Sequence, residues 1–136
     1  MSKQPLRILV VEDSVADAML VREYLAEGPG PTHEITHVSR ADDAVRHLQA
    51  EQAHVILLDL LLPDVMGVEV VTLIRDAAPG PAVVVISGLD DDDVTARALE
   101  EGAHHYLRKD DISAESLQRV IGLALERRHG TAVADQ

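Results

Sequence analysis

Between His54 and Pro63 the chain reads His-Val-Ile-Leu-Leu-Asp-Leu-Leu-Leu-Pro, an apolar run interrupted by Asp59, closed by the proline and followed by Gly67. A run this short and this apolar, bounded by turn residues, is a strand buried on both faces, and such strands belong to parallel sheets covered by helices. An ionised side chain inside it needs a partner, so Asp59 marks the strand's end, where a functional group can emerge.

The rest of the chain alternates in the way a parallel sheet requires. Leu6 to Val11 is a strand, and Ala18, Val21 and Leu25 follow at helical spacing until Gly28-Pro29 stops them. His33 to Val38 is a weaker strand, with Ala41, Ala44, Val45 and Leu48 marking its helix. Val55 to Asp59 is the third strand. Its helix is marked by Val70, Leu73, Ile74 and Ala77, before Pro79-Gly80-Pro81 breaks the chain. Ala82 to Ser87, rich in β-branched residues, is the fourth strand, and the helix from Asp92 to Glu101 has a thin apolar face of Val94 and Ala98, ended by Gly102. His104 to Arg108 is the fifth. Ser113 caps a last helix whose Leu117, Val120, Ile121 and Ala124 face inward and whose end carries Arg127 and Arg128. From about His129 to Gln136 the sequence reads as a frayed tail, which leaves one domain over 1–136 with its core over about 6–128.

Composition excludes several classes. At 136 residues the chain suits one domain that buries roughly two-thirds of its unfolded surface. Cysteine is missing, so disulfides and thiolate metal sites are excluded. With 24 acids against 12 bases the net charge is -12, which repels a polyanion and removes the counterion-release contribution to nucleic-acid affinity. Tyr24 and Tyr106 are the only aromatics, so the core is aliphatic and platforms for stacking bases are lacking. Met1-Ser-Lys-Gln-Pro5 has no apolar signal region, and the expected setting is cytoplasmic, with neither nucleic acid nor membrane as partner.

In a doubly wound sheet the carboxyl ends of the strands share one edge, and ligands bind outside it where strand order reverses. Glu12-Asp13, Asp59, Ser87 and Lys109 stand at four such ends. Each has an ordinary reading: the acid pair as helix-start residues, Ser87 as a turn residue, Lys109 as a solvated lysine. Those readings do not explain why all four ends carry matched polar groups. Crowded carboxylates need a cation, and hard oxygen ligands open to water suit Mg²⁺. An aspartate can also attack phosphorus, with the metal and an ammonium offsetting charge on the transferring group.

Ile8-Leu-Val-Val-Glu-Asp-Ser14, Asp59-Leu-Leu-Leu-Pro-Asp-Val-Met-Gly67, Val85-Ile-Ser-Gly88 and Gly102-Ala-His-His-Tyr-Leu-Arg-Lys109 resemble the successive motifs of response-regulator receiver domains of two-component signalling. The resemblance covers about residues 6 to 128. It implies a flavodoxin-like (βα)5 fold with a five-stranded parallel sheet in the order 2-1-3-4-5. It implies that Asp59 accepts phosphoryl from a histidine kinase or phosphotransfer protein, and that Glu12, Asp13, Asp59 and the backbone carbonyl of Leu61 hold Mg²⁺. Lys109 would contact the phosphoryl group. Ser87 would swing toward it, and Tyr106 would follow from an outward to an inward position. The face made by the fourth helix, fifth strand and fifth helix would then change, for a partner or for a second copy of the chain in a homodimer.

The pattern is departed from at Asp110, which stands where many members have a proline. A trans bond is expected there, because a cis bond before a non-proline residue costs about 3 kcal/mol. Asp110 and Asp111 stand ready to compete for the charge of Lys109. By the resemblance, Leu61 and Leu89 would put apolar groups near the water path to phosphorus, which implies a long-lived phosphoryl group. Asp90 to Asp93 read as a solvated helix start, and His33, His37, His104 and His105 as non-ligands. Overall the expectation is a stand-alone phosphoacceptor switch, not an enzyme beyond its own phosphorylation and dephosphorylation. Two other readings use the same residues: a Mg²⁺-dependent phosphohydrolase with Asp59 as nucleophile, which lacks an evident general acid or cap, and a pseudo-receiver that only binds protein.

Overall fold

A computed structural model describes residues 5–27 and 33–134, with side chains as far as residue 128. Among the described residues, five parallel strands lie in the order β2-β1-β3-β4-β5: β1 (Leu6–Val11), β2 (His33–Val38), β3 (Val55–Leu58), β4 (Ala82–Ser87) and β5 (His105–Arg108). The helices α1 (Val15–Ala26), α2 (Ala41–Ala50), α3 (Glu69–Ala77), α4 (Asp92–Glu100) and α5 (Ala114–Ala134) alternate with them, and a 3-10 turn at Lys109–Asp111 follows β5. The expected α/β class and strand order are both present. No described helix is long and apolar enough to cross a membrane.

Because successive strand residues turn to opposite faces, the aliphatic strands feed two cores at once. Ile8, Val10, Leu57 and Val84 pack with Val21 and Leu25 of α1 and with Leu117, Val120, Ile121 and Ala124 of α5. Leu9, Val11, Ile56, Leu58, Val83 and Val85 pack on the other face with Ala41 and Ala44 of α2, Val70, Val71 and Ile74 of α3, and Ala98 of α4. The thin face expected for α4 is real: Ala98 is its one fully buried residue, and Val94 is half-buried.

Two expectations need correction, and a third falls outside the described residues. In α3 the inward face is Val70, Val71 and Ile74, while Leu73 is exposed and Ala77 only half-buried. Both sets fit helical spacing, and the angle at which α3 lies on the sheet decides between Val71 and Leu73. The final helix continues to Ala134 where a frayed tail was expected from His129, because adding a residue to a formed helix gains a hydrogen bond without a new nucleation cost. The expected stop at Gly28-Pro29 lies outside the described residues.

Helix starts connect distant segments. Ser14 caps α1 by accepting the Asp17 N–H at 3.2 Å, and Asp91 caps α4 through the N–H groups of Asp93 and Val94, as the helix-start reading of this acidic run requires. Arg40 precedes α2 without making a side-chain cap. Asp64 does so instead, accepting from Ala41 N and Asp42 N at 2.9 and 3.0 Å. That carboxylate ties the loop after β3 to α2. Gly67, at φ +84°, lets the same loop turn so that its N–H reaches the Leu60 carbonyl at 2.7 Å.

Candidate functional site

The order β2-β1-β3 puts the reversal of winding between β1 and β3. Val11 pairs with Leu58, so the next residues, Glu12 and Asp59, leave the sheet side by side, and the Asp59 N–H donates to the Val11 carbonyl at 3.0 Å. Leu58 pairs with Val85 and Ser87 with Arg108, which brings Ser87 and Lys109 to the same carboxyl edge. Glu12 is also held by its backbone: its N–H donates to Val38 O at 3.0 Å, and His37 Nε2 lies 2.6 Å from its carbonyl oxygen.

Asp59 is 3% exposed, yet both of its oxygens have partners. Oδ1 accepts the Leu61 N–H at 3.0 Å, and Oδ2 accepts from Lys109 Nζ at 3.0 Å. Lys109 Nζ also reaches Glu12 Oε1 at 2.7 Å and Asp17 Oδ2 at 2.7 Å, while Glu12 Oε2 accepts the Ser14 N–H at 3.1 Å. One ammonium, with three donors, therefore serves three carboxylates.

Burial foremost, and then the hydrogen bond shared with Asp59, push the Glu12 carboxyl up to about 7, against the pull of Lys109 and the Ser14 N–H. Burial would by itself lower the Lys109 ammonium, but its bonds to Asp17, Glu12 and Asp59 outweigh burial and hold it above the usual lysine range. The site thus carries more negative charge than its lysine neutralises.

Glu12, Asp13 and Asp59 each offer a carboxylate oxygen, and the three oxygens lie within 4.8 Å of one another. Among the described residues this is the one such group, and none of the histidines belongs to it. Oxygen-only donors beside an exposed aspartate suit a small hard cation that keeps part of its water, and excess negative charge favours its arrival. The donor set fits Mg²⁺.

Ser87 is fully buried; its Oγ accepts the Leu89 N–H at 3.2 Å and keeps its hydrogen for a further acceptor. Tyr106 already lies inward, half-buried against the core shared by α3 and α4, and its hydroxyl donates to the Leu89 carbonyl at 3.2 Å. Leu61 is exposed beside the site, and Leu89 is half-buried.

The competition expected around Lys109 takes another form. Among the described residues its partners are Glu12, Asp17 and Asp59, not Asp110 or Asp111, and Asp111 pairs with Arg108 at 3.6 Å instead. Both acids lie in the 3-10 turn after Arg108 and are exposed, and the described peptide bonds are all trans. Asp17 escaped the sequence reading because an acid in the first turn of a helix has an ordinary explanation. Its signal was the spacing Glu12-Asp13-Ser14-x-x-Asp17, which returns the side chain to the acid pair after one turn.

Over residues 8–121 the chain matches the family described as response regulator receiver domain. It is 32% identical over 133 residues to the probable transcriptional regulatory protein SilR of Salmonella typhimurium, a match covering 96% of this chain and 55% of that protein. The chain spans as little as 9% of another curated relative. Among solved structures it resembles the phosphorylated cyanobacterial phytochrome response regulator RcpA (29% identity, TM-score 0.74, covering 88% of this chain and 91% of that one). It also resembles the Mn²⁺-bound form of the response regulator Rcp1 (30% identity, TM-score 0.73, the same coverage of 88% and 91%).

Proposed function

The chain belongs to the response regulator receiver domain family of two-component signalling, and from that premise we propose that Asp59 is its phosphoacceptor, charged by a histidine kinase or phosphotransfer protein. One observation carries the reading: the Asp59 carboxylate is buried at the sheet's switch point, 3.0 Å from the Lys109 ammonium and within the three-carboxylate group.

A lone pair of an Asp59 oxygen attacks phosphorus. The new P–O bond forms as the bond from phosphorus to the donor's imidazole nitrogen breaks, and that nitrogen keeps the electron pair, so that a neutral imidazole leaves with the proton already on its other ring nitrogen. Lys109 can turn a donor from Asp59 to a phosphoryl oxygen, and the Ser87 hydroxyl can give its hydrogen to another. Mg²⁺, held by Glu12, Asp13, Asp59 and the Leu61 carbonyl, would supply charge neutralisation at the phosphoryl oxygens.

The product is a change of surface, not a released compound. Leu89 stands between Ser87 and Tyr106, accepting from the tyrosine hydroxyl and donating its own N–H to the serine, so one segment links the two proposed switch residues, although Tyr106 already holds the inward position that the resemblance assigns to the activated form. The face of α4, β5 and α5 would then engage a partner or a second copy of the chain. Exposed Leu99 and Leu123 supply apolar area on α4 and α5 for it. The cytoplasm, where kinases and ATP are found, is the setting this function requires.

The test is labelling with acetyl phosphate or a cognate kinase in Mg²⁺. Wild-type protein should gain one acid-stable, base-labile phosphoryl group, and Asp59→Asn none. Undiminished labelling of that variant would sink the assignment, and steady turnover of phosphate esters would favour a phosphohydrolase.

A further inference from the structure

We infer that Asp17 is a positioning residue for the transfer: it anchors the Lys109 ammonium over the site while the other two partners of that ammonium are engaged elsewhere. The inference rests on the reading of Asp59 as phosphoacceptor.

The three partners of Lys109 are not equivalent. Glu12 and Asp59 belong to the group of carboxylates that would close on a cation, and Asp59 is also the atom source for the new P–O bond; Asp17 belongs to neither set. Asp17 alone can keep its bond to Lys109, at 2.7 Å, through the whole cycle. It is also well placed to do so. Its backbone N–H is fixed on the Ser14 hydroxyl at 3.2 Å in the capped first turn of α1. The lysine, by contrast, stands on a flexible four-carbon stem at the start of a short 3-10 turn. Neither of the acids that follow it, Asp110 and Asp111, holds it among the described residues. The two side chains meet at the mouth of the crevice, 26% and 39% exposed for Lys109 and Asp17, whereas Glu12 and Asp59 lie at its floor. A brace at the mouth stops the ammonium from escaping to water when the floor rearranges.

Two simpler readings predict different results. An acid in the first turn of α1 also complements the helix dipole, a role that affects stability without affecting transfer. A competitor that withholds Lys109 from the phosphoryl group would, once removed, make transfer faster.

The experiment uses acetyl phosphate as donor, so that docking of a kinase plays no part. It compares wild type with Asp17→Asn and Asp17→Ala. At saturating Mg²⁺ and donor, the labelling rate of both variants should fall by about tenfold, the size expected for one partly exposed charge-assisted hydrogen bond. Mg²⁺ affinity, measured separately, should stay within about twofold, since one bond outside the ligand set is lost. Nitrogen-15 spectra of the Lys109 ammonium should show a slowly exchanging signal in wild type that is lost in Asp17→Asn. An unchanged or faster rate overturns the inference, as does a tenfold loss of Mg²⁺ affinity, which would make Asp17 a ligand. If wild type fails to label, the phosphoacceptor reading falls, and the ammonium signal still decides whether Asp17 holds Lys109.

Discussion

The Tyr106 hydroxyl donates to the backbone carbonyl of Leu89 at 3.2 Å, across 17 residues of sequence, and so ties β5 to the loop that leaves Ser87. The N–H of the same Leu89 donates to Ser87 Oγ. A single peptide segment is therefore gripped from β4 by a buried hydroxyl and from β5 by the hydroxyl of a half-buried ring.

Tyr106→Phe should uncouple the two. Losing this hydrogen bond should cost about 0.5–1.5 kcal/mol, seen as a lower urea midpoint at unchanged slope. With Mg²⁺ and beryllofluoride, amide shifts around Asp59 should persist in the variant while those along residues 92 to 125 shrink. Equal responses in both proteins would show that the hydroxyl carries no coupling.

Asp13→Asn should move stability and metal binding in opposite directions. It removes one of three candidate ligands, so Mg²⁺ affinity should fall by roughly tenfold or more. In metal-free buffer the loss of like-charge repulsion should raise stability by a few tenths to about 1 kcal/mol. Calorimetric titration and chemical denaturation without metal check the two halves. Unchanged affinity would leave Asp13 a helix-start residue only.

Asp64→Ala should destabilise the fold by about 1–2 kcal/mol, the range for losing a helix cap, because it frees two N–H groups of α2 at once. It should also loosen the loop that carries Leu61. Hydrogen exchange should therefore speed up at Ala41, Asp42 and residues 61 to 67 together. Faster exchange in α2 alone would show that the loop does not depend on this tie.

His104 predicts a pH dependence. Burial first, and then the positive charges of Arg75, Arg128 and Arg127, push its imidazole down to about 4, and its Nδ1 accepts the buried Val83 N–H at 3.0 Å. The unfolded chain takes the proton first, so this contribution is complete above pH 6.5 and is lost as pH falls toward 4. Between pH 7 and pH 5 the loss is about 2 kcal/mol. Glu12 acts in the opposite sense: raised from 4.5 to about 7, it gives stability that is present at low pH and lost as pH rises through that window. The difference between wild type and His104→Asn, which keeps an acceptor for Val83, isolates the histidine. That difference in denaturation free energy should shrink by about 2 kcal/mol from pH 7 to pH 5. A constant difference would mean that His104 titrates normally.

What the amino-acid order determined by itself was the set of elements and the chemistry at their ends. Period and turn residues place each strand, and an alternation of strand and helix admits few topologies, so Glu12, Asp59, Ser87 and Lys109 were bound to reach one edge. Tertiary structure decided which groups meet within that edge. Lys109 reaches Asp17 across 92 residues, Asp64 caps a helix that begins 23 residues before it, and α3 turns Val71 inward in place of Leu73. The physical reason is the same in each case. Periodicity reports how a segment divides its apolar and polar faces, a property of neighbours in the chain. The partner of an ammonium or an N–H group depends instead on strand register and on the angle at which each helix lies against the sheet, which the packing of the whole core sets.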